Sequence, residues 1–127
     1  MTRIVLDAGA LIALERNARP VWAALRLAAL RSDDVVVPST ALAQVWRGRA
    51  SQALLARALE HCVVASFDLV ARAVGELLGK TATHDICDAH VAIVAMRQGD
   101  ALYTSDPDDM RRLLAAMRGR KPALVRC

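Results

Sequence analysis

Short runs of β-branched and other apolar residues recur along this chain, and each is followed by a segment with helical character. The clearest runs are residues 3–6 (Arg-Ile-Val-Leu), 34–38 (Asp-Val-Val-Val-Pro) and 101–104 (Ala-Leu-Tyr-Thr). A continuous apolar run of this length is typical of a strand that is buried on both faces, as in a parallel sheet. Strands that alternate with helices predict an α/β fold with a mainly parallel sheet of four or five strands.

Breakers, caps and periodicity predict the remaining elements. We expect helices over residues 8–15, 21–31, 51–61, 68–78 and 86–98, a helix capped by Ser39 or Thr40 that runs through Trp46, and a last long helix opened by residues 106–109. Further strands are expected at 62–66 and 123–125. In the helix over 21–31 we expect Trp22, Leu25 and Leu30 to lie close to one stripe, and we expect residues 79–81 to loosen the chain.

Composition restricts the class of protein. At 127 residues the chain has the size of one domain, residues 1–127, and 55% hydrophobic residues exclude general disorder. The three cysteines are not clustered, which disfavours a disulfide framework and favours a reducing compartment. The longest stretch without a charge has 12 residues, whereas a membrane helix needs about 20. We therefore expect a cytoplasmic protein with no membrane segment and no signal peptide.

Aspartates stand at the corners where strands end or helices begin. Asp7 ends the first strand, Asp106 follows the fourth, and Asp88 lies one turn into the helix before the fourth strand, with Asp85 three residues earlier. Parallel strands end at the same sheet edge, so Asp7 and Asp106 meet if these two strands are neighbours. Carboxylates that crowd together persist only with a cation or a shared proton, and oxygen ligands alone suit Mg²⁺ or Mn²⁺.

A simpler interpretation of the same aspartates stays open. Asp7, Asp85 and Asp106 can each cap the helix that follows, and an acid in a first turn favours the helix dipole. Capping and ligand binding can coexist, because a helix N-terminus also attracts phosphate.

Four segments carry a resemblance to a known family. They are residues 4–14 (Ile-Val-Leu-Asp-Ala-Gly-Ala-Leu-Ile-Ala-Leu), 37–48 (Val-Pro-Ser-Thr-Ala-Leu-Ala-Gln-Val-Trp-Arg-Gly), 88–95 (Asp-Ala-His-Val-Ala-Ile-Val-Ala) and 102–109 (Leu-Tyr-Thr-Ser-Asp-Pro-Asp-Asp). In this order they resemble the motifs of PIN-domain ribonucleases, especially the VapC-type toxins of bacterial toxin–antitoxin pairs. The resemblance covers nearly the whole chain. It implies a three-layer α/β/α fold and RNA cleavage that depends on Mg²⁺ or Mn²⁺.

The resemblance also implies roles for individual acids. Asp7, Asp88 and Asp106 correspond to the catalytic acids of the metal site, and Asp109 is a plausible further ligand. Thr104 and Ser105 end the fourth strand, where they can orient water or phosphate, although hydroxyls at this position commonly cap the next helix.

Gln44 departs from the family pattern, which usually has Glu at this position of the second motif. Glutamine keeps the shape and one acceptor oxygen but removes the charge, so Gln44 is a weak metal ligand. Three interpretations stay open: a weak nuclease, a site whose charge is made up by Asp85 or Asp109, or an inactivated copy. The alternative function is a non-catalytic domain that binds antitoxin or RNA without cleaving it.

Two arginine pairs flank the motifs and are candidates for holding RNA phosphates: Arg47 with Arg49, and Arg111 with Arg112. A solvated helix face explains each pair equally well. Because aromatic residues make up only 3% of the chain, a stacking platform for single strands is disfavoured.

The expected partners are RNA and a cognate antitoxin protein, in a homodimer or a toxin–antitoxin hetero-oligomer. An apolar stripe on the first two helices (Leu11, Leu14, Trp22 and Leu25) is simply core in the ordinary interpretation. In the family, similar surfaces receive an antitoxin helix or support dimers, and an antitoxin arginine can enter the acidic site.

His84, Cys87 and His90 are residue types that can bind zinc. Spacings of three place successive side chains on one side of a helix but drift too far for all three to converge. We therefore favour a packing role for Cys87.

Overall fold

The computed structural model describes residues 2–127, in which five strands form one sheet with every neighbouring pair parallel. The strand order is β3-β2-β1-β4-β5. The strands are β1 (Arg3–Leu6), β2 (Asp34–Pro38), β3 (Val63–Ala65), β4 (Ala101–Thr104) and β5 (Ala123–Arg126). The order reverses beside β1, because β2 and β3 extend the sheet on one side and β4 and β5 on the other. Ligands of parallel sheets bind at such a switch point, which lies here between β1 and β4.

Seven α-helices within the described residues connect the strands and complete a three-layer α/β/α fold. They are α1 (Ala8–Glu15), α2 (Arg19–Arg31), α3 (Ser39–Val45), α4 (Ala53–Leu59), α5 (Ala71–Thr81), α6 (Ile86–Gln98) and α7 (Pro107–Ala115). The predicted α/β class with a parallel sheet is confirmed, and the fifth strand is present. None of the helices described is long and apolar enough to cross a membrane.

The core lies between the sheet and its covering helices. Val5, Leu6 and Leu102 on the central strands have no exposed surface, which fits strands that are covered on both faces. Helix α6 is buried along residues 89–95 because it packs on β1 and β2 while α3, α5 and α7 contact its sides. This burial fixes where Asp88, at the start of α6, meets the sheet edge.

One apolar stripe was predicted incorrectly. In α2 the buried residues are Val21, Ala24, Leu25 and Ala28, with a spacing of i, i+3, i+4 and i+7, whereas Leu30 is 84% exposed. Leu30 follows Leu25 by five positions, so it points well away from the stripe in a helix of 3.6 residues per turn. Trp22 is partly buried, and its Nε1–H donates to the carbonyl of Leu14 (3.1 Å).

The predicted cap of α3 was also wrong. Helix α3 begins at Ser39 directly after Pro38, with no side-chain cap, and it ends at Val45. The two hydroxyls expected to cap are used elsewhere: Ser39 Oγ accepts from the Phe67 N–H (3.0 Å), and Thr40 Oγ1 lies 2.7 Å from His90 Nδ1. Bonds to distant elements therefore replace the local cap.

Two further helices differ from their predicted limits. The segment predicted as one helix over 51–61 is a 3₁₀ turn at residues 50–52 followed by α4, and 68–70 is likewise a 3₁₀ turn before α5. Residues 79–81 do not loosen the chain, since α5 continues through Thr81 and ends where Ala82 takes a left-handed conformation (φ 55°). Tertiary packing of Val74 and Leu77 outweighs the low helix propensity of Gly79.

Candidate active site

Asp7 and Asp106 are brought to the same edge because β1 and β4 are neighbours. Leu6 pairs with Tyr103, and the Asp7 N–H donates to the Tyr103 carbonyl (3.2 Å). Each aspartate thus follows the carboxyl end of its strand at the switch point of the sheet. The condition on which the sequence brings Asp7 and Asp106 together, that β1 and β4 are neighbours, is met.

Each of these corner aspartates also caps a helix. Asp7 Oδ1 accepts from the Ala10 N–H (2.8 Å), and Asp106 Oδ1 accepts from the Asp109 N–H (3.2 Å). Asp85 Oδ1 accepts from the Asp88 N–H in the same way (2.9 Å). The capping interpretation is therefore confirmed for all three. Since these caps use one oxygen of a carboxylate, they leave its second oxygen outside the cap.

Thr104 connects the two strand ends. It is fully buried, its Oγ1 accepts from the Asp106 N–H (3.0 Å), and its side chain hydrogen-bonds to Asp7. A hydroxyl can do both, because it accepts through oxygen while donating its proton. Thr104 is therefore held between Asp106 and Asp7 and fixes the geometry of the edge.

Asp88 experiences the charges of the other acids. Burial and the neighbouring charges of Asp85, Asp7 and Asp106 raise its pKa to about 6. Burial also raises the pKa of Asp7, although hydrogen bonds from Thr104 and from the N–H groups of Ala10 and Ser105 partly oppose this. Asp7, Asp88 and Asp106 are thus close enough to repel one another, as expected of residues that share a site.

A groove of about 540 Å³, which we call the acidic groove, opens beside Asp88. It is lined by Asp85, Asp88 and Asp109 together with His84 and Arg112. Asp109 lies in the first turn of α7 and forms an ion pair with Arg112. Asp109 and Asp88 therefore line the same groove, but Asp109 already has a cationic partner.

A second groove, which we call the arginine groove, lies between the end of α1 and the connection after α3. It has a volume of about 330 Å³ and is lined by residues that include Ala8, Glu15, Arg16, Gln44, Arg47 and Arg49. Gln44 is exposed in the last turn of α3 and reaches this groove beside Ala8, the residue after Asp7. Gln44 thus shares a groove with Ala8, whereas Asp109 lines the acidic groove.

Ser105 and Arg111 occupy different surroundings. Ser105 is exposed at the edge and packs tightly against Gly9, where an added Cβ would lie 2.1 Å from Ser105 Oγ. Arg111 points away from the acidic groove and pairs with Asp108 (2.7 Å). Of the predicted arginine pair in α7, only Arg112 therefore lines the acidic groove.

The geometry and the chemistry of Asp7, Asp88 and Asp106 both bear on whether these acids can hold a cation. No three His, Cys, Asp or Glu side chains among residues 2–127 form a group that could hold a metal ion as they stand. The chemistry of the cluster nevertheless fits a hard divalent cation, because its donors are carboxylate oxygens, and burial together with the neighbouring charges raises the pKa of Asp88. A cation would relieve this repulsion once the side chains move onto it.

The zinc alternative is not supported within the described residues. His84 is exposed, whereas His90 is fully buried and holds Thr40 through Nδ1. Cys87 packs against the hydrophobic core, as predicted. The three side chains form no metal-binding group.

The stripe of the first two helices belongs to the core. Leu11 and Leu14 have no exposed surface, and Leu25 is also buried. The ordinary interpretation of this stripe is therefore confirmed, and these leucines are not available to a partner in this conformation.

Sequence reasoning missed two residues of the arginine groove, Arg16 and Gln52. Arg16 follows α1 and has no motif to mark it. Gln52 is a single polar residue in an unremarkable segment, yet it is 4% exposed and makes three hydrogen bonds. Only the packing of α1 against α3 and α4 reveals either residue.

The fold and the edge together define an α/β protein with an acidic site at the switch point of a parallel sheet. No model of a protein family matches the sequence, and no curated protein matches it. The chain is similar to a chain in the crystal structure of VapBC2 from Rickettsia felis bound to a DNA fragment from their promoter. The TM-score is 0.74 and the identity 16%, with 99% of each chain covered. At this identity the similarity concerns the fold, and it agrees with the predicted three-layer α/β/α architecture.

Proposed function

We propose that this chain is an endoribonuclease toxin of the VapC type that requires Mg²⁺ or Mn²⁺. The observation that carries the proposal is the position of Asp7 and Asp106 at the ends of neighbouring strands, with Asp88 close enough for the charges of both to help raise its pKa. Capping explains Asp7 and Asp106 but not Asp88, whose side chain caps no helix and yet lies within the field of both. The similarity in fold to a VapBC2 chain adds support.

Asp7, Asp88 and Asp106 are the catalytic acids of this proposal and would hold the cation, with Asp109 and Gln44 at its borders. When bound, the cation polarises the scissile phosphate and lowers the pKa of a bound water. Asp7 and Asp106 each have one carboxylate oxygen hydrogen-bonded to a backbone N–H at the start of a helix. This bond would hold the side chain in place while the second oxygen binds the cation.

The remaining residues position the substrate. Thr104 fixes Asp7 relative to Asp106, and the exposed hydroxyl of Ser105 is available to orient water or a phosphate oxygen. Arg47 and Arg49 approach from the arginine groove and Arg112 from the acidic groove. Arg111 contributes charge from the outer face of α7. Arginine suits this task because its planar fork matches phosphate oxygens.

The proposal includes a protein partner. An acidic edge with three crowded carboxylates accepts a cationic side chain as well as a metal, so an antitoxin can inhibit by placing a basic residue there. We propose a homodimer or a hetero-oligomer with a cognate antitoxin in the cytoplasm. The VapBC2 name of the structural neighbour agrees with such a pair.

The test is RNA cleavage by the purified, antitoxin-free chain with Mn²⁺, with EDTA, and with Mn²⁺ restored after EDTA. Cleavage that EDTA abolishes and Mn²⁺ restores is expected. Cleavage that persists in EDTA would indicate a contaminating or different nuclease.

One observation favours a second candidate, a non-catalytic domain that binds RNA or antitoxin. Gln44 lacks the charge that the family pattern places at this position. RNA binding without cleavage in the same assay would favour this candidate over the nuclease.

A further inference from the structure

Gln52 is a buried polar side chain in the connection between α3 and α4, and its amide joins three segments. Its Nε2 donates to Glu15 Oε1 (2.7 Å) and to the Val45 carbonyl (2.9 Å), while its Oε1 accepts from the Arg47 N–H (2.8 Å). The end of α1, the end of α3 and the start of the loop over residues 46–49 are thereby held together by one amide. Removing it would leave the buried Val45 carbonyl and the Arg47 N–H without these partners.

The loop that Gln52 holds carries two of the arginines of the arginine groove. Gly48 has φ +67°, a left-handed conformation that turns the chain between Arg47 and Arg49. Arg47 Nη1 donates to the carbonyls of Ala43 (3.3 Å) and Trp46 (2.8 Å), which places its guanidinium over the end of α3. A guanidinium has five N–H donors, so Arg47 keeps others for a ligand.

The arginine groove has excess positive charge. Arg16, Arg47 and Arg49 line it, whereas Glu15 is the acid among its lining residues. The ion pairs found among residues 2–127 involve Arg3, Arg111 and Arg112, so none of the three groove arginines is paired with a carboxylate there. Glu15 directs one oxygen to Gln52, which keeps that acid at the wall of the groove.

The position of the groove relates this charge to the acidic edge. Ala8, which follows Asp7 in the chain, lines the arginine groove, so the groove begins one residue from the acidic edge. The acidic groove is lined by Asp85, Asp88 and Asp109, with Arg112 already paired, and it repels phosphate. A polyanion therefore approaches the edge more favourably from the arginine side.

We propose that the arginine groove binds the phosphodiester backbone of single-stranded RNA beside the carboxylates, with Arg16 as an additional phosphate contact and Gln52 as the positioning residue. The identity of the ligand rests on the function proposed above. Gln52 touches no substrate in this proposal, since it acts by fixing the loop that presents Arg47 and Arg49.

The test measures binding separately from cleavage. Fluorescence anisotropy with a labelled, unstructured RNA oligonucleotide in EDTA gives Kd over a series of KCl concentrations. We expect Arg16→Gln to weaken binding about tenfold, as the loss of one charge-assisted bond implies. It should also make the slope of log K against log[salt] shallower by about 0.7, the value for one phosphate contact with a single strand.

Arg26→Gln is the matched control, because Arg26 is an exposed arginine on α2 outside the lining of the groove. It removes the same charge and should leave the slope near that of the wild type. If Arg16→Gln and Arg26→Gln behave alike, the groove does not hold the RNA backbone and the proposal is rejected. Absence of RNA binding by the wild type in low salt rejects it as well.

Gln52→Met tests positioning without any change in charge. Methionine has a similar length but makes none of the three hydrogen bonds, so the salt slope should become shallower by at least one contact. A merely structural role would lower Tm and leave the slope of the folded protein unchanged, and this result would overturn the role of Gln52. The measurement is made well below the Tm of the variant.

The outcomes separate this proposal from the nuclease. If the wild type cleaves RNA with Mn²⁺ but Arg16→Gln and Gln52→Met bind RNA like Arg26→Gln, the proposed binding groove is rejected and the proposed nuclease activity stands. If only Arg16→Gln and Gln52→Met lose RNA binding and the wild type cleaves no RNA with Mn²⁺, the nuclease activity is rejected and the binding groove stands.

Discussion

Asp106 has two roles that a single substitution can separate. Its Oδ1 accepts from the Asp109 N–H at the start of α7, and its charge contributes to the field on Asp88. Asparagine keeps an acceptor oxygen for the cap but removes the charge.

We therefore expect Asp106→Asn to keep its Tm within a few degrees and to lose RNA cleavage on the order of 100-fold or more, because a direct cation ligand is removed. Asp7→Asn should lose cleavage as well but with a larger fall in Tm, because buried Asp7 accepts from Thr104 and from the Ala10 and Ser105 N–H groups, and an amide NH2 cannot accept. Initial cleavage rates with saturating Mn²⁺, beside thermal melting, measure both effects. Full activity of either variant would remove that aspartate from the site.

Gln44 provides a test in the opposite direction. It borders the acidic edge beside Ala8 and is exposed, so a carboxylate at this position costs little desolvation. We predict that Gln44→Glu cleaves RNA faster and binds Mn²⁺ more tightly, measured as cleavage rate against Mn²⁺ concentration. If neither changes, position 44 lies outside the functional site.

Asp88 links the site to the stability of the fold. Its pKa is raised from 3.8 to about 6, so its charged form is disfavoured in the folded state. The folded protein binds the proton more tightly than the unfolded chain, and stability from this group is therefore lost as pH rises from about 4 to about 6.

In EDTA, Asp88→Asn should consequently melt above the wild type at pH 7.5 and close to it at pH 4. Because Asp88 is half-exposed, solvent screening reduces the effect to roughly 1 kcal/mol, or about 4 °C in Tm. Melting curves at the two pH values measure it. An equal difference at both pH values would contradict a raised pKa of Asp88 in the folded state.

At the scale of elements, the start of α1 is held against the end of β4 by a close approach. A Cβ on Gly9 would lie 2.1 Å from Ser105 Oγ and 2.6 Å from Ser105 Cβ. Such distances force Ser105 or the first turn of α1 to move, and this turn contains the Ala10 N–H that donates to Asp7.

Gly9→Ala is therefore expected to destabilise the fold by about 1–3 kcal/mol and to reduce cleavage, since it separates Asp7 from Asp106. Gly75→Ala is the matched control: Gly75 lies inside α5 with nothing within 4 Å, so alanine should stabilise by about 0.5–1 kcal/mol. Denaturant unfolding of both variants measures the difference. A Gly9→Ala protein as stable and active as the wild type would contradict the close packing.

Sequence periodicity predicts the elements well where local signals and packing agree. The apolar runs of β1, β2 and β4 are local signals, as are the acids that follow β1 and β4, and they place Asp7 and Asp106 at the ends of parallel strands. The prediction of a cap for α3 was wrong because the hydroxyls of Ser39 and Thr40 form hydrogen bonds with Phe67 and His90, which are distant in sequence. Gln52 was missed for the same reason, since its partners lie on other elements.

At the scale of the whole molecule, the formal net charge of +4 is divided unevenly over the surface. Asp7, Asp85, Asp88 and Asp106 gather at one edge, so the remaining surface is more basic than the net charge suggests. Such a distribution suits a protein that places a polyanion against a cluster of acids, provided that a cation neutralises the acids. RNA binding should therefore weaken as salt increases.

Binding of Mn²⁺ tests the central claim most directly. In a titration followed by the electron paramagnetic resonance of the free ion, we expect the wild type to bind Mn²⁺ and both Asp88→Asn and Asp106→Asn to bind it at least about tenfold more weakly. Asp68→Asn is the control, because Asp68 is an exposed acid in the turn before α5 and should bind Mn²⁺ like the wild type. Equal Mn²⁺ binding by all four proteins, or none by the wild type, would contradict the assignment of the carboxylates at this sheet edge as a cation site.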